Sequence, residues 1–501
     1  MTKKTRARGR GSCVFAFCIG LMSLGDAGFQ TGFITKAKAD TTDQLLDQLR
    51  AKGILTKTEY HTLKDRHIRE KQERAKATTV PSRRVVTKDG APGIPSDRYV
   101  TRLKDGIGVR IGEVDLRLTG VLSFFATQGF KTSGNATVAG GLLAPNVTNN
   151  SSAIRAGYLP SNLVTNLTTR QEGLDLSFTL GLYTGGNNVS VGKFNANNGG
   201  TATALGTPGI DLRQVFGTIG TPEFGVVKIG RDLGLFAADG VLNDATIPGA
   251  GFFSGNAAPG DATLGRVGFG YFYMDWLPQI TYTTPDLDGF LFSVGVFSPL
   301  QQFDYSGFSG DMTGHDQPGL QWRLKYVKAF SDDTKFMAWS SGMTQQHRAE
   351  LNDNVVTSGG VAPGAKVRST AIDIGARLDT GPVSLLAYGY YGQGMGSTFL
   401  FFDGVTRTGQ TRNSYGGYAQ ASYTFANRFS VGGSWGISLL NADYGDPTTL
   451  LRSNSSTIGF ARYKLTDWVS LQGEFIHVIS RNQAGGTVSG NGFVLGTFMS
   501  F

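Results

Sequence analysis

From Glu113 to Phe501, apolar and polar residues alternate in short runs. Val114, Leu116 and Leu118 interleave with Glu113, Asp115, Arg117 and Thr119. Leu174, Leu176, Phe178 and Leu180 interleave with Asp175, Ser177 and Thr179, and Trp322, Leu324 and Tyr326 with Gln321, Arg323 and Lys325. Val469, Leu471 and Phe475 oppose Ser470, Gln472 and Glu474. A period of two sends each set to one face of a strand. Sixteen strands are expected: 113–126, 173–184, 187–195, 211–219, 224–231, 268–284, 290–299, 319–330, 334–346, 366–380, 383–394, 411–425, 429–440, 452–465, 469–480 and 490–501. The links between them alternate between short and long. The short ones are Gly185-Gly186, Gly220 to Glu223, Pro285 to Gly289, Ser331 to Asp333, Thr380 to Pro382, Ala426 to Arg428 and Thr466 to Trp468. The longest of the others are 127–172 and 232–267.

An even set of antiparallel strands, with tight turns at one end and long loops at the other, is the pattern of a membrane barrel. Closure satisfies every backbone group in lipid, which an open sheet edge does not. The expected fold is therefore all-β, a transmembrane antiparallel up-and-down β-barrel of sixteen strands, with both ends of the chain on the short-turn side. Aromatics crowd the presumed strand ends, with Tyr271, Phe272, Tyr273 and Trp276 in one group and Tyr388, Tyr390 and Tyr391 in another. Such rings read as a headgroup belt. The last strand closes on Phe501, with Phe493, Leu495, Thr497 and Met499 on its face.

The chain before Glu113 is different. Lys3, Lys4, Arg6, Arg8 and Arg10 precede the apolar run 13–25, and Ala37-Lys38-Ala39 offers a cleavage site, with a cut near Ala27 as the alternative. Residues 1–39 thus read as a signal peptide. Residues 41–76 read as a short helical hairpin. Leu45, Leu46 and Leu49 share a face, Gly53 sits at a stop, and Thr56 with Glu59 makes a capping box. The second helix carries Tyr60, Leu63 and Ile68. Its apolar stripe is too narrow for a core, so it should pack on a partner, its own copies or the barrel mouth. A basic stretch with Pro81, Pro92 and Pro95 follows, read as a solvated linker or as a tether to an anionic cell-wall polymer. The organisation is a leader over 1–39, a periplasmic hairpin and linker over 40–112, and a barrel over 113–501.

Composition narrows the classes. The chain has 71 glycines in 501 residues, 11% aromatics and 17% charged residues. No apolar run approaches the roughly 20 residues of a spanning helix. Removing residues 1–39 takes seven Lys/Arg and one Asp, leaving (47 − 7) − (38 − 1) = +3. The formal +9 is mostly leader, so nucleic acid is not an expected partner. Cys13 and Cys18 leave with it, which excludes disulfides and thiol chemistry from the remainder. His61, His67, His315, His347 and His477 lack a nucleophile and orienter arranged around them, and no metal-ligand cluster is evident. No cofactor, metal or enzymatic activity is expected.

Alternation also places charges on the inward face. Asp115, Arg117, Asp175, Lys228, Arg323, Lys325, Arg377 and Glu474 are the candidate pore-lining residues, each with a lumenal ion pair as its bland alternative. Residues 232–267 are expected to fold inward as a constriction. The segment is longer than a hairpin needs and carries Leu233, Leu235, Phe236, Phe252 and Phe253, which gain nothing in water. Its acids, Asp232, Asp239, Asp244 and Asp261, would face Arg117 or Lys228 across the lumen.

The stretch Phe224-Gly225-Val226-Val227-Lys228-Ile229-Gly230-Arg231 resembles the fifth strand of the general diffusion porins of the Gram-negative outer membrane. Arg213-Gln214 before Gly217 is similar to that family's preceding strand. Tyr282 to Pro285 with Gly289-Phe290 resembles its sixth and seventh. The resemblance covers about residues 113 to 501. It implies a barrel embedded in outer-membrane lipid, a homotrimer, and passive diffusion of small hydrophilic solutes and ions. The long first loop, the helical extension and the lack of the family's acidic loop tip depart from its pattern. A substrate-selective channel for sugars or anions is the alternative reading, and a barrel enzyme a distant one.

Overall fold

A computed structural model describes residues 99–184, 210–253, 262–351 and 360–501, together with Lys64 and the pieces 85–86 and 92–93. The expected leader and, save for Lys64, the helical hairpin lie outside these residues. Strands β1 (Val85–Val86) and β2 (Pro92–Gly93) form a small ladder. Strands β3 (Val100–Arg102) and β4 (Ile107–Ile111) form a hairpin. The barrel follows as β5 (Val114–Gly129), β6 (Ser151–Ala156), β7 (Asn162–Gln171), β8 (Leu174–Thr184), β9 (Ile210–Thr221), β10 (Gly225–Leu233), β11 (Trp276–Thr283) and β12 (Phe290–Phe297). It continues as β13 (Gly319–Ser331), β14 (Thr334–Arg348), β15 (Lys366–Thr380), β16 (Val383–Gln393), β17 (Asn413–Thr424), β18 (Phe429–Leu440), β19 (Leu451–Lys464), β20 (Val469–Asn482) and β21 (Thr487–Ser500).

These strands pair antiparallel around a closed barrel. β6 and β7 pair successive halves of β5, so they are one strand interrupted at Gly157 to Ser161. Counting them once gives the sixteen strands expected. The circuit closes where β21 pairs with Val121 to Gly129 of β5, while β4 pairs with Val114 to Leu118 beside it. Gly120 and Phe501 then exchange two backbone hydrogen bonds at 3.1 Å. A side chain at Gly120 would meet the Phe501 ring at 2.5 Å, so any larger residue there displaces that ring from the seam.

The number is right but two members differ. β6 and β7 lie inside what alternation reads as one loop, 127–172, because Pro160 and mixed stretches such as Asn162 to Thr168 blur the period. The expected strand 187–195 and tight link at Gly185-Gly186 lie outside the described residues. β8 pairs directly with β9, so no strand separates them. Residues 174–184 consequently run toward the long-loop end, opposite to expectation. The strand expected over 268–284 begins only at Trp276, since Gly268, Gly270 and Asp275 take positive φ of 78°, 147° and 63°.

Alternation decides which face meets what. Leu324, Ile372, Ile374, Leu385, Leu471 and Leu495 are exposed on the outside, while Gln321, Asp373, Gln472 and Glu474 are buried within. An apolar exterior around a closed sheet is a surface made for lipid. Phe330, Phe425, Trp468 and Phe501 stand exposed near the short-turn end, with the Trp468 and Phe501 ring centroids 5.5 Å apart. The belt expected at Tyr271, Phe272, Tyr273, Trp276, Tyr388, Tyr390 and Tyr391 is not there. Tyr271, Phe272, Tyr388 and Tyr390 are buried inside the barrel, because inward parity or the inward segment carries them, Trp276 is buried against Tyr183, and Tyr273 packs on Phe399. Of that set Tyr391 faces out.

Candidate pore and the segment that crosses it

Residues 234–253, which follow β10, and 262–275, which lead into β11, lie inside the barrel. The segment includes a one-turn helix, Ala238–Leu242, entered through Ala237 at φ 63°. Its apolar side chains account for the inward path. Phe236, Phe252, Phe269, Phe272 and Met274 are fully buried with Tyr388, Tyr418, Ile458, Ile476 and Val494 of the wall. Burying each such ring is worth roughly 1.5–3 kcal/mol. Phe272 and Tyr390 have ring centroids 4.5 Å apart, and Tyr271 and Tyr418 5.7 Å.

Packing alone would leave backbone polar groups unpaired in the bore, and wall side chains pair them. Gln321 Oε1 accepts from Leu235 N at 2.8 Å and from Phe236 N at 2.9 Å. Ser341 Oγ and Asp373 Oδ2 both accept from Ala237 N at 3.1 Å. Gln420 accepts from Ala245 N and donates to Asn243 O, each at 2.8 Å. Tyr418 donates to Gly240 O, and Arg462 to Ala245 O. Glu474 accepts from Ala250 N at 3.1 Å and Gly251 N at 2.8 Å. A Cβ at Gly249 would collide with the Glu474 carboxylate, so a larger residue there displaces this anchor. Beyond Glu474, Thr263 N donates to Gly157 O and Tyr158 N to Gly249 O. The segment is therefore fixed successively to β13, β14, β15, β17, β19, β20 and the break between β6 and β7. It traverses the lumen rather than lining one side.

The charges named from sequence sort into three settings. Asp115, Arg117 and Asp175 sit near the short-turn mouth. Asp115 pairs with Arg110 at 2.7 Å, Arg117 donates to Asp105 O at 3.1 Å, and Asp175 pairs with Arg170 at 3.1 Å. Lys228, Arg323, Lys325 and Arg377 meet the inward segment. Lys228 pairs with Asp232, which also accepts from Gln214 at 3.1 Å. Asp239 takes Lys325 at 2.7 Å and Arg323 at 3.6 Å. Arg377 donates to Asn243 Oδ1 at 3.2 Å and pairs with Asp379 at 3.0 Å. Glu474 is a buried anchor for backbone. Asp244 turns back on its own segment, accepting from Tyr271 OH at 2.7 Å with Arg266 at 3.7 Å. Asp261 lies outside the described residues. The structure thus brings Asp232 to Lys228, whereas Asp239 and Asp244 find other cations than Arg117 or Lys228.

Asp239 is 2% exposed, whereas the Arg323 and Lys325 side chains keep about a quarter of their surface open. Burial works against its ionised form, but the two adjoining cations outweigh burial and hold its carboxyl below the ordinary aspartate value. The anchoring role of Gln321, Ser341, Gln420 and Arg462 has no signal in the sequence. Parity puts them inward, but no local signal says which inward groups hold the segment.

A second layer lies over the first. Residues 395–406, between β16 and β17, are buried, and Tyr273 N donates to Thr398 O at 3.2 Å. They join residues 302–312, between β12 and β13, through bridges of Phe303 with Phe402 and of Ser309 with Thr406.

The chain is similar in structure to the outer membrane channel DcaP of Acinetobacter baumannii, with TM-score 0.56 and 12% identity over 80% of this chain and 99% of that one. OmpT of Vibrio cholerae follows with TM-score 0.46 and 13% identity over 80% and 100%. OmpF of Salmonella typhi, solved with daunomycin, has TM-score 0.45 and 13% identity over 78% and 98%. At these identities the first likeness speaks to the fold, and the two below 0.5 carry no argument. No protein-family model matches the chain, and no curated protein matches it.

Proposed function

We propose that the chain is an outer-membrane channel through which small hydrophilic solutes and ions diffuse passively. The observation that carries this reading is the barrel itself. Its exterior is apolar, and the interior nearer the short turns is lined by paired charges crossed by one anchored segment. An apolar exterior suits lipid, and a charged interior suits water. The lining assigned to transport is Asp115, Arg117, Asp175, Lys228, Arg323, Lys325 and Arg377, while the buried Asp232 and Asp239 hold Lys228, Arg323 and Lys325 in place. Glu474 and Asp244 serve by holding that segment in place.

The barrel is read as a homotrimer in outer-membrane lipid, with residues 40–112 in the periplasm toward the cell wall. A non-enzymatic role fits the histidines. His315 and His347 lie against each other with ring centroids 5.9 Å apart, and His347 packs on Phe401 at 4.4 Å, as core residues do. His477 faces outward and meets Asn491 at 2.7 Å.

A second reading, a channel selective for anions, has one observation in its favour. Asp239 is buried while Arg323 and Lys325 beside it are partly open, so the lumen meets the cations first. Reversal potential across a salt gradient separates the two readings. A value near zero supports a permissive pore. A value close to the chloride potential supports the anion channel, and a strong preference for potassium counts against both.

A further inference from the structure

The second layer is built unlike the first. Residues 302–312 and 395–406 are stitched into one unit by backbone hydrogen bonds. Phe303 N donates to Phe401 O at 3.1 Å, Asp403 N to Phe303 O at 2.9 Å, and Gly310 N to Val405 O at 2.9 Å. Asp403 Oδ1 accepts from Tyr305 N, Ser306 N, Ser306 Oγ and Ser309 Oγ at 2.6 to 3.1 Å. Fully buried Arg412 binds Asp446 and donates to Ser309 Oγ, Asp403 O and Phe308 O at 2.8 to 3.0 Å. The unit therefore moves together if it moves.

Its boundary with the crossing segment is mainly apolar. Phe399 lies edge-on to Tyr273 with centroids 5.8 Å apart, and Gly268 faces the Thr398 methyl. Val138, Leu143, Phe399, Leu400, Phe401 and Phe402 share one buried cluster with Phe252, Phe253, Phe269 and Phe272. The unit itself, rooted between β12 and β13 and between β16 and β17, reaches the loop after β5, where Tyr305 OH donates to Gly141 O at 3.5 Å, so it extends across the mouth. Apolar contacts are non-directional and reform after sliding, whereas a hydrogen-bonded unit moves as a body. The backbone supplies both strain and pivots. Phe401 and Asp403 sit at φ 68° and 61°, unfavourable for side chains of their size, and Gly394 and Gly409 flank the stretch at 71° and 83°.

We infer that residues 302–312 and 395–406 form a lid seated on the crossing segment, closing the long-loop mouth, and that the channel conducts when this lid lifts. The inference rests on the channel reading proposed above. In the closed arrangement the two layers are one apolar core, which ions do not cross. Lifting breaks the contact of Tyr273 with Phe399, the hydrogen bond from Tyr273 N to Thr398 O, the packing of Phe401 on His347 and the bond from Gln302 Nε2 to Ser369 Oγ, while the Asp403 network within the unit stays whole.

The test is a lock. In a full-length chain with Cys13→Ser and Cys18→Ser, Tyr273→Cys and Phe399→Cys place two thiols across the boundary where those residues form a backbone bridge. Single-channel current is recorded in planar lipid, oxidised and then reduced, with loss of free thiol confirming the bond. A second variant replaces residues 396–405 with a Gly-Ser linker. Expected are long closed periods with openings in the reduced protein, no openings in the oxidised one, and steady, several-fold larger conductance in the trimmed one. Equal conductance in oxidised, reduced and trimmed forms overturns the lid and leaves the channel standing. Absence of current from all of them, the trimmed form included, overturns the channel reading and the lid with it.

Discussion

Asp239 shows what a single side chain contributes. Its carboxylate is buried between the crossing segment and β13, held by Lys325 and Arg323. Removing one partner of a fully buried pair costs about 3–5 kcal/mol. Arg323 and Lys325 are partly open and regain water, so Asp239→Asn is expected to cost about 1–3 kcal/mol. The sign with pH follows from the lowered folded value. The ionised contribution is complete above the ordinary aspartate value near 3.9 and is lost as pH falls through the lower folded value. The Tm gap between native and Asp239→Asn protein in detergent should therefore hold from pH 8 to about pH 4 and close only below it. A gap that disappears between pH 7 and pH 5 contradicts the pairing. Inward parity made Asp239's partners Arg323 and Lys325 visible as lumenal cations. Their common partner was not visible, because it arrives from a segment 86 residues away in the case of Lys325.

At the scale of the element, long regular strands were the readable part. β14 and β15 pair over fifteen residues without a break, and their alternation is plain. Ile374, at the middle of β15, is 63% exposed on the outer face. An arginine there meets hydrocarbon at a cost of about 2–4 kcal/mol. Ile374→Arg should reduce the folded, heat-modifiable fraction on cold gels, while Asp373→Asn on the inner face should act instead by loosening Ala237. Equal tolerance of Ile374→Arg and Ile374→Val would place this face away from lipid. The interrupted strand β6–β7 was hidden because its two pieces flank Pro160 and carry few large apolar residues. Regular strand geometry survives there through pairing with β5, which no local pattern records. Direction along the barrel remains testable. A tag at Asn149-Asn150 should be labelled on intact cells and one at Asp332 only after lysis. The reverse pattern contradicts the assignment of loops and turns.

The whole molecule combines a readable shell with an interior that sequence only sketched. Strand number, closure on Phe501 and an inward segment after Arg231 all follow from periodicity, link length and misplaced apolar residues. The depth of that segment does not. It crosses to β20 and the break in β6–β7 because Glu474, Gln420 and Arg462 capture its backbone, and such captures depend on tertiary placement. The buried tyrosines make the same point, since Tyr388 and Tyr390 have the composition of a headgroup belt and the position of a core. Shortening the stretch between Gly240 and Gly260 should remove a barrier common to every solute. The most direct test of the channel itself is conductance of the purified protein in planar lipid, native and shortened. Discrete current steps, larger by several-fold in the shortened form and absent from protein-free lipid, are expected. A folded barrel that inserts yet passes no current in either form contradicts the account.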